Sequence, residues 1–233
     1  MRLANECYNK VSQLAFVLFY SLPVWLSIFF TDQIVEFLER ERQVISSAED
    51  AAREIATMLD SWKLQIDSLR TYVQEEAQLL AKLADQIYSF NPTTTNAAIL
   101  AQEILFAGRV SGVDPFLIAA ICGIETRFRN QAIRQDGAFG LMQILPSTAY
   151  AISKQPDLAP LLSNANPLRK NMLIGAFYIK HLQDYFASQL HLVLAAYNFG
   201  PMSVERANRN IAQLPRHVRD YVAKVSELFF KFK

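Results

Sequence analysis

Along the first ninety residues the apolar positions follow two different rules. From Val11 to Thr31 no residue carries a charge, and Phe, Leu and Val dominate. Beyond that run, apolar residues recur at alternating steps of three and four: Ile34, Leu38, Ile45, Ala48, Ala52, Ile55, Leu59, Trp62, Ile66, Leu69, Val73, Leu80, Leu83, Ile87 and Phe90, with only Glu41 and Glu76 out of register. Neither glycine nor proline occurs between Pro23 and Pro92. This pattern predicts one long helix with a single sticky seam, roughly 85 Å if straight at about 1.5 Å per residue. A second row, Phe37, Val44, Met58, Tyr72 and Leu79, widens the stripe beyond a two-stranded seam or prepares it for a partner protein. The 34–90 helix could therefore self-associate as a coiled coil, pack back on the rest of the chain, or engage a partner protein. No turn signal supports a hairpin within it.

The uncharged run 11–31 is just long enough to span a hydrocarbon core of roughly 30 Å. Tyr20 and Trp25 suit a membrane interface, and Pro23 would kink such a helix without forbidding it. A cleaved signal would have a shorter apolar region and small residues before the cut; Ile28 to Asp32 offer neither, so an uncleaved anchor is expected. Arg2 and Lys10 precede the run, whereas Asp32, Glu36 and Glu39 follow it. The positive-inside rule then places 1–10 in the cytoplasm and everything from Asp32 outside a cytoplasmic (inner) membrane crossed once. Asn91-Pro92-Thr93-Thr94-Thr95-Asn96 supplies turn and capping residues, ending the stalk and starting the next helix at about Ala97. The expected organisation is a cytoplasmic N-terminus over 1–10, a transmembrane anchor over 11–31, a helical stalk over 32–91 and a catalytic domain over 92–233.

From Asn91 onward there are helical periodicities, short Gly/Pro/Asn loops and no strand alternation, so the fold class is all-α. The net charge of +1 hides a division: six Lys/Arg against twelve Asp/Glu over 32–90, and fifteen against nine over 91–233. A basic second half suits an anionic polymer, and no nucleic-acid recognition motif accompanies it. Cys7 and Cys122 would lie on opposite sides of the membrane and cannot pair within one chain; Cys122 reads as a small core residue. His181, His191 and His217 are scattered without ligand spacing, so no metal and no cofactor is expected.

The segment VDPFLIAAICGIE (Val113–Glu125) carries the clearest chemistry. Asp114 is a good N-cap and Pro115 a good first helical residue. From Phe116 to Ile124 nothing is charged, so the helix is buried on most faces and delivers the Glu125 carboxyl at its end, partly desolvated. Desolvation raises a carboxyl's pKa and favours the protonated acid, which is what protonation of a glycosidic oxygen needs.

Four further segments follow in order: GAFGLMQILPSTA (Gly137–Ala149), NPLRKNMLIGAFYIKHL (Asn166–Leu182), LAAYNFGP (Leu194–Pro201) and HVRDYVAKV (His217–Val225). Together with Ile124-Glu125-Thr126-Arg127-Phe128 they resemble the soluble lytic transglycosylase (SLT) domain of the lysozyme-like superfamily, over roughly Thr94 to Val225. The resemblance implies a lysozyme-like (goose-type/SLT) domain acting on peptidoglycan glycan strands, with Glu125 as the sole essential catalytic group. By the same resemblance Thr126, Gly140, Met142, Gln143, Tyr197, Asn198 and Tyr221 bind substrate or orient the acid. Thr126 stands where the family usually has Ser, and Phe199 where it commonly has Ala. Gly140 would let the backbone approach the sugar, Met142 would offer an adaptable apolar surface, Gln143 an amide, and Tyr221 a hydrogen bond to Glu125.

Asp136 precedes Gly137 as an ordinary turn pairing. It is also a candidate second carboxylate, since goose-type lysozymes carry aspartates near that place, and it could turn the reaction into hydrolysis. A third reading makes the stalk the working part and the domain a non-catalytic glycan-binding scaffold of an envelope or phage assembly. The closing Phe229-Phe230-Lys231-Phe232-Lys233 is expected to dock as a final helical turn.

Overall fold

A computed structural model describes the backbone of residues 2–94, 96–129, 134 and 136–233; in the first helix, the side chains of residues 2–8, 11, 13, 14, 16–21 and 23 are outside the description. The chain forms two compact units, Met1–Thr71 and Tyr72–Lys233, and helix α1 (Arg2–Phe90) contributes to both.

In the first unit the described seam residues of α1 are at the surface. Ile34, Leu38, Ile45, Ile55, Leu59, Trp62, Ile66 and Leu69 of the seam are all exposed. Ion pairs a turn apart, Glu36 with Arg40 at 2.6 Å and Asp50 with Arg53 at 3.1 Å, decorate the surface and add only tenths of a kcal/mol each. Among the described residues no helix is long and apolar enough to cross a membrane. The span expected over 11–31 falls in good part on side chains outside those described, as does Cys7.

The second unit begins earlier than the turn residues at 91–96 suggest. Leu83 and Ile87, near the end of α1, are fully buried in its core, and Phe90 meets the rings of Phe128 and Phe232 edge-on at 5.8 and 6.1 Å. The stretch from Tyr72 to Phe90 therefore belongs to the second compact unit, which takes in the last turns of the helix expected as the stalk. The reason is packing: the apolar seam here lies against α9 residues such as Phe232, so burial continues past any change in local sequence.

Helices α2 (Ala97–Ser111), α3 (Pro115–Thr126), α6 (Pro167–Tyr185), α7 (Leu190–Phe199) and α9 (Arg216–Phe232) build the core, with short α4 (Pro146–Ile152), α5 (Ala159–Leu162) and α8 (Pro201–Arg206) between them. No strand forms among the described residues; Phe139 and Ile144 make an isolated antiparallel bridge. Helix α3 is the axis. Its Phe116–Gly123 segment is buried on every face, against α2 on one side and α9 on the other. Asp114 Oδ1 accepts the Phe116 N–H at 2.9 Å and Pro115 opens the first turn, as the sequence predicts. A Cβ on Gly123 would come within 2.8 Å of Leu228, so α3 and α9 approach as closely as that glycine allows. Phe229 and Phe232 are buried and end the chain as a docked helix. A bidentate ion pair, Arg169 Nε and Nη2 to the Glu103 carboxylate at 2.7 and 2.9 Å, ties α6 to α2.

Candidate active site

The end of α3 and one tight turn create the site. At Arg127 and Phe128 the backbone enters the left-handed region (φ 53° and 60°), which stops the helix directly after Glu125 and Thr126. Thr126 is buried, and its hydroxyl lies 3.1 Å from the carbonyls of both Cys122 and Leu141. It braces the helix end to the Gly140-Leu141-Met142-Gln143 turn and does not face the cleft, contrary to the expectation of a sugar contact.

That turn is closed by the Phe139–Ile144 bridge, with N–H to O distances of 3.1 and 3.2 Å. Its inner side is filled by Asn171 of α6, buried to 3% exposure, whose Oδ1 accepts the Met142 N–H and whose Nδ2 donates to the Phe139 carbonyl, both at 3.0 Å. A Cβ on Gly140 would fall 2.3 Å from Asn171 Cγ, and Gly140 has φ +73°. Glycine is thus required there by Asn171 and by the backbone. Met142 offers no side-chain surface to the cleft. Its side chain is fully buried, with the sulfur in the space that Gly175 leaves by having no Cβ. It contributes its carbonyl, which accepts the Tyr197 hydroxyl at 2.7 Å.

Above the turn opens a cleft of about 390 Å³. Glu125, Asp136, Gln143, Tyr197 and Asn198 line it, together with Arg134, Tyr178, Phe199 and His217. The Glu125 side chain is 8% exposed, and burial raises its pKa. Tyr221 and Arg134 oppose that rise, and the negative charge of Asp136 reinforces it. Tyr221 belongs to α9; its buried phenol, pushed well up by burial, is near enough to the Glu125 carboxyl to act on it, with no partner at hydrogen-bonding distance among the described residues. Arg134 spans the two acids, 3.9 Å from Glu125 and 3.7 Å from Asp136. Asp136 uses Oδ1 to accept the Ala138 N–H at 3.1 Å, a turn-closing bond. Gln143, at φ +48°, donates from Nε2 to the Gly140 carbonyl at 2.8 Å. Tyr178 and Tyr197 rings stack at a tilt with centroids 5.5 Å apart, and burial pushes the Tyr178 phenol up to about 12. Cys122 is a buried core thiol, 3.9 Å from the Met172 sulfur.

Four residues of this site escape sequence reasoning. Asn171 looks like an interior polar residue of α6, Tyr178 like core, and His217 like a stray surface histidine; each is placed by tertiary contacts rather than by local pattern. Arg134 falls in a loop where nothing local marks a basic residue as facing an acid.

The Transglycosylase SLT domain family model matches residues 102–218, half of the chain. Membrane-bound lytic murein transglycosylase C of Edwardsiella ictaluri is 34% identical over 105 residues, covering 41% of this chain and 29% of that one. Its counterpart in Histophilus somni is 32% identical over 143 residues, 53% of this chain and 38% of the relative. The endo-type membrane-bound lytic murein transglycosylase A of Klebsiella pneumoniae is 36% identical over 85 residues, 34% of this chain and 40% of the relative. The chain thus spans well under half the length of these relatives. Among solved structures, the 70 kDa soluble lytic transglycosylase of Escherichia coli shares the fold at a TM-score of 0.50 and 22% identity, covering 66% of this chain and 30% of that one. With half of its length matched by the family model, and with Glu125, Gln143, Tyr197 and Asn198 lining one cleft, the chain belongs to the transglycosylase SLT domain family.

Proposed function

We propose that this protein is a peptidoglycan lytic transglycosylase that cleaves the β-1,4 bond between N-acetylmuramic acid and N-acetylglucosamine without water. One observation carries the reading: a single desolvated carboxyl, Glu125, sits at the floor of a polar cleft with its pKa raised by burial. Protonated, it gives its proton to the glycosidic oxygen as the bond to C1 breaks. The resulting carboxylate takes the proton of the muramyl C6 hydroxyl while O6 bonds to C1, closing a 1,6-anhydro ring. An intramolecular nucleophile removes the need for a second carboxylate to activate water. Gln143 and Asn198 supply amides to the sugar, and Tyr221 orients the acid.

Asp136 supports a second reading, a muramidase that hydrolyses the same bond. It lines the cleft and is felt electrostatically by Glu125. Its commitment to the Ala138 N–H and its neighbour Arg134 favour the first reading. Mass spectrometry of fragments released from purified peptidoglycan decides between them. Anhydro-muramyl ends, lighter by one water, support the transglycosylase; reducing ends support Asp136 as a working partner. A Glu125→Gln variant that keeps full cellular function would instead point to a glycan-binding scaffold.

For placement, the uncharged run 11–31 would anchor the chain in the cytoplasmic membrane with the catalytic unit outside. The exposed seam of α1 would serve self-association or a partner protein. Fractionation of the full chain against a truncation starting at Asp32 tests the anchor: an anchor predicts that only the full chain resists extraction by high salt.

A further inference from the structure

The cleft is lined mostly by hydrogen-bonding side chains, yet the wholly apolar ring of Phe199 stays exposed within it. Phe199 closes α7, three residues after the fully buried Leu194, Ala195 and Ala196, and is 39% exposed. Its place is set by the backbone. The Gly200 N–H bonds the Ala196 carbonyl at 2.8 Å, and Gly200 at φ +86° turns the chain at once into α8, so α7 ends at this residue. His217, in the first turn of α9, meets the Phe199 ring nearly at right angles, with 77° between planes and 5.7 Å between centroids. Both line the cleft that holds Glu125. The other two aromatic residues there are otherwise committed, since Tyr197 is bonded to Met142 and Tyr178 stacks on Tyr197.

We propose that Phe199, held by His217, is a saccharide-stacking shelf: a specificity-determining subsite for the apolar C–H face of an N-acetylated hexopyranose. A pyranose is two-sided. Its hydroxyls and acetamido group need the amides and charges of Gln143, Asn198 and Arg134, while its C–H face gains from an aromatic plane removed from water. Perpendicular contact with His217 limits the ring's freedom before the sugar arrives, so less ordering entropy is lost on binding. Where the family commonly has alanine, this subsite would have no such plane.

The shelf rests on the reading of the cleft as a glycan site, and one titration separates the two. The full chain carrying Glu125→Gln, which prevents turnover, is titrated calorimetrically with chitopentaose, a soluble β-1,4-linked N-acetylglucosamine pentamer. Phe199→Ala in that background should bind roughly five- to ten-fold more weakly with an unchanged thermal midpoint. His217→Ala should lose less, because the ring remains but is no longer held. Phe199→Trp should restore affinity. It also adds a reporter: both native tryptophans, Trp25 and Trp62, lie in the Met1–Thr71 unit, so a sugar-dependent change in emission absent from the parent comes from the shelf. Equal affinity of the parent and Phe199→Ala, or an emission of Phe199→Trp indifferent to sugar, overturns the shelf and leaves the glycan reading intact. Failure of the parent itself to bind the pentamer overturns the glycan reading, and the shelf with it.

Discussion

The carboxamide of Asn171 fills the space that a side chain on Gly140 would need, with an ideal Cβ falling 2.3 Å from Asn171 Cγ. Two hydrogen bonds of 3.0 Å then fix the turn from both ends, at the Met142 N–H and the Phe139 carbonyl. From that turn radiate the contacts that assemble the site. Leu141 receives Thr126 of α3, Met142 receives Tyr197 of α7, and Gln143 lines the cleft.

Gly140→Ala should therefore destabilise the protein by about 2–4 kcal/mol, from strain at positive φ together with overpacking. Asn171→Ala should cost about 1–3 kcal/mol, since it removes the acceptor of the buried Met142 N–H, while the Phe139 carbonyl keeps the Ile144 N–H. The informative measurement is the double variant under denaturant. Gly140→Ala should cost at least about 1 kcal/mol less when Asn171 is already alanine, because the clash has been removed. Simple additivity would mean that the two residues do not share the space.

Glu125→Gln should reduce glycan cleavage by roughly 10²–10⁴-fold, the range for loss of a general acid. Its effect on stability should depend on pH, with a definite sign. The folded-state pKa of Glu125 is raised, so the unfolded chain releases this proton at lower pH than the folded one. Stability from this group is then greatest in acid and falls as pH rises from the unfolded value through the folded one. Thermal midpoints of the parent and Glu125→Gln should agree at low pH, and the variant should be the more stable above that window. A gap that widens towards acid instead would contradict a buried, protonated acid.

Tyr221 lowers the Glu125 pKa that burial raises. Tyr221→Phe should move the alkaline limb of the kcat/KM profile to higher pH, since the acid keeps its proton longer. The maximal rate should fall several-fold as orientation is lost, with KM for soluble glycan nearly unchanged. Arg134→Gln should shift the same limb in the same direction, as a nearby positive charge is removed. A limb that moves in neither variant would place the titrating group elsewhere.

Tyr197→Phe removes the donor to the Met142 carbonyl and leaves that carbonyl without its 2.7 Å partner. A loss of about 1–3 kcal/mol in stability is expected, read by chemical denaturation. Activity should fall as well, because the same bond joins the α7 wall of the cleft to the turn carrying Gln143.

Much of this site is legible in the chain before any tertiary contact is known. Asp114 and Pro115 start α3, the uncharged run to Ile124 buries it, and Glu125 is the first acid after it, so a desolvated carboxyl follows from local chemistry. Residue identity says less about which partner each side chain meets. Gly140 and Met142 carry the right motif, yet their neighbours are Asn171 and Gly175, twenty-nine or more residues away in sequence and adjacent only across α6. The stalk shows the same limit. Its seam runs on to Phe90 with only Glu41 and Glu76 out of register, and nothing local marks Leu83 as the point from which seam residues become buried.

By itself, then, the sequence determined the all-helical class, the capped apolar helix that presents Glu125, and the order of the segments around it, because capping, periodicity and turn chemistry act within a few residues. Only the tertiary structure decided that Thr126 braces, that Met142 is core, that Asn171 staples the turn, and that Arg134, Tyr178 and His217 join the cleft. Those assignments depend on which faces of α3, α6, α7 and α9 meet. Helix packing sets those meetings through the summed fit of many side chains, and no single stretch of chain encodes that sum.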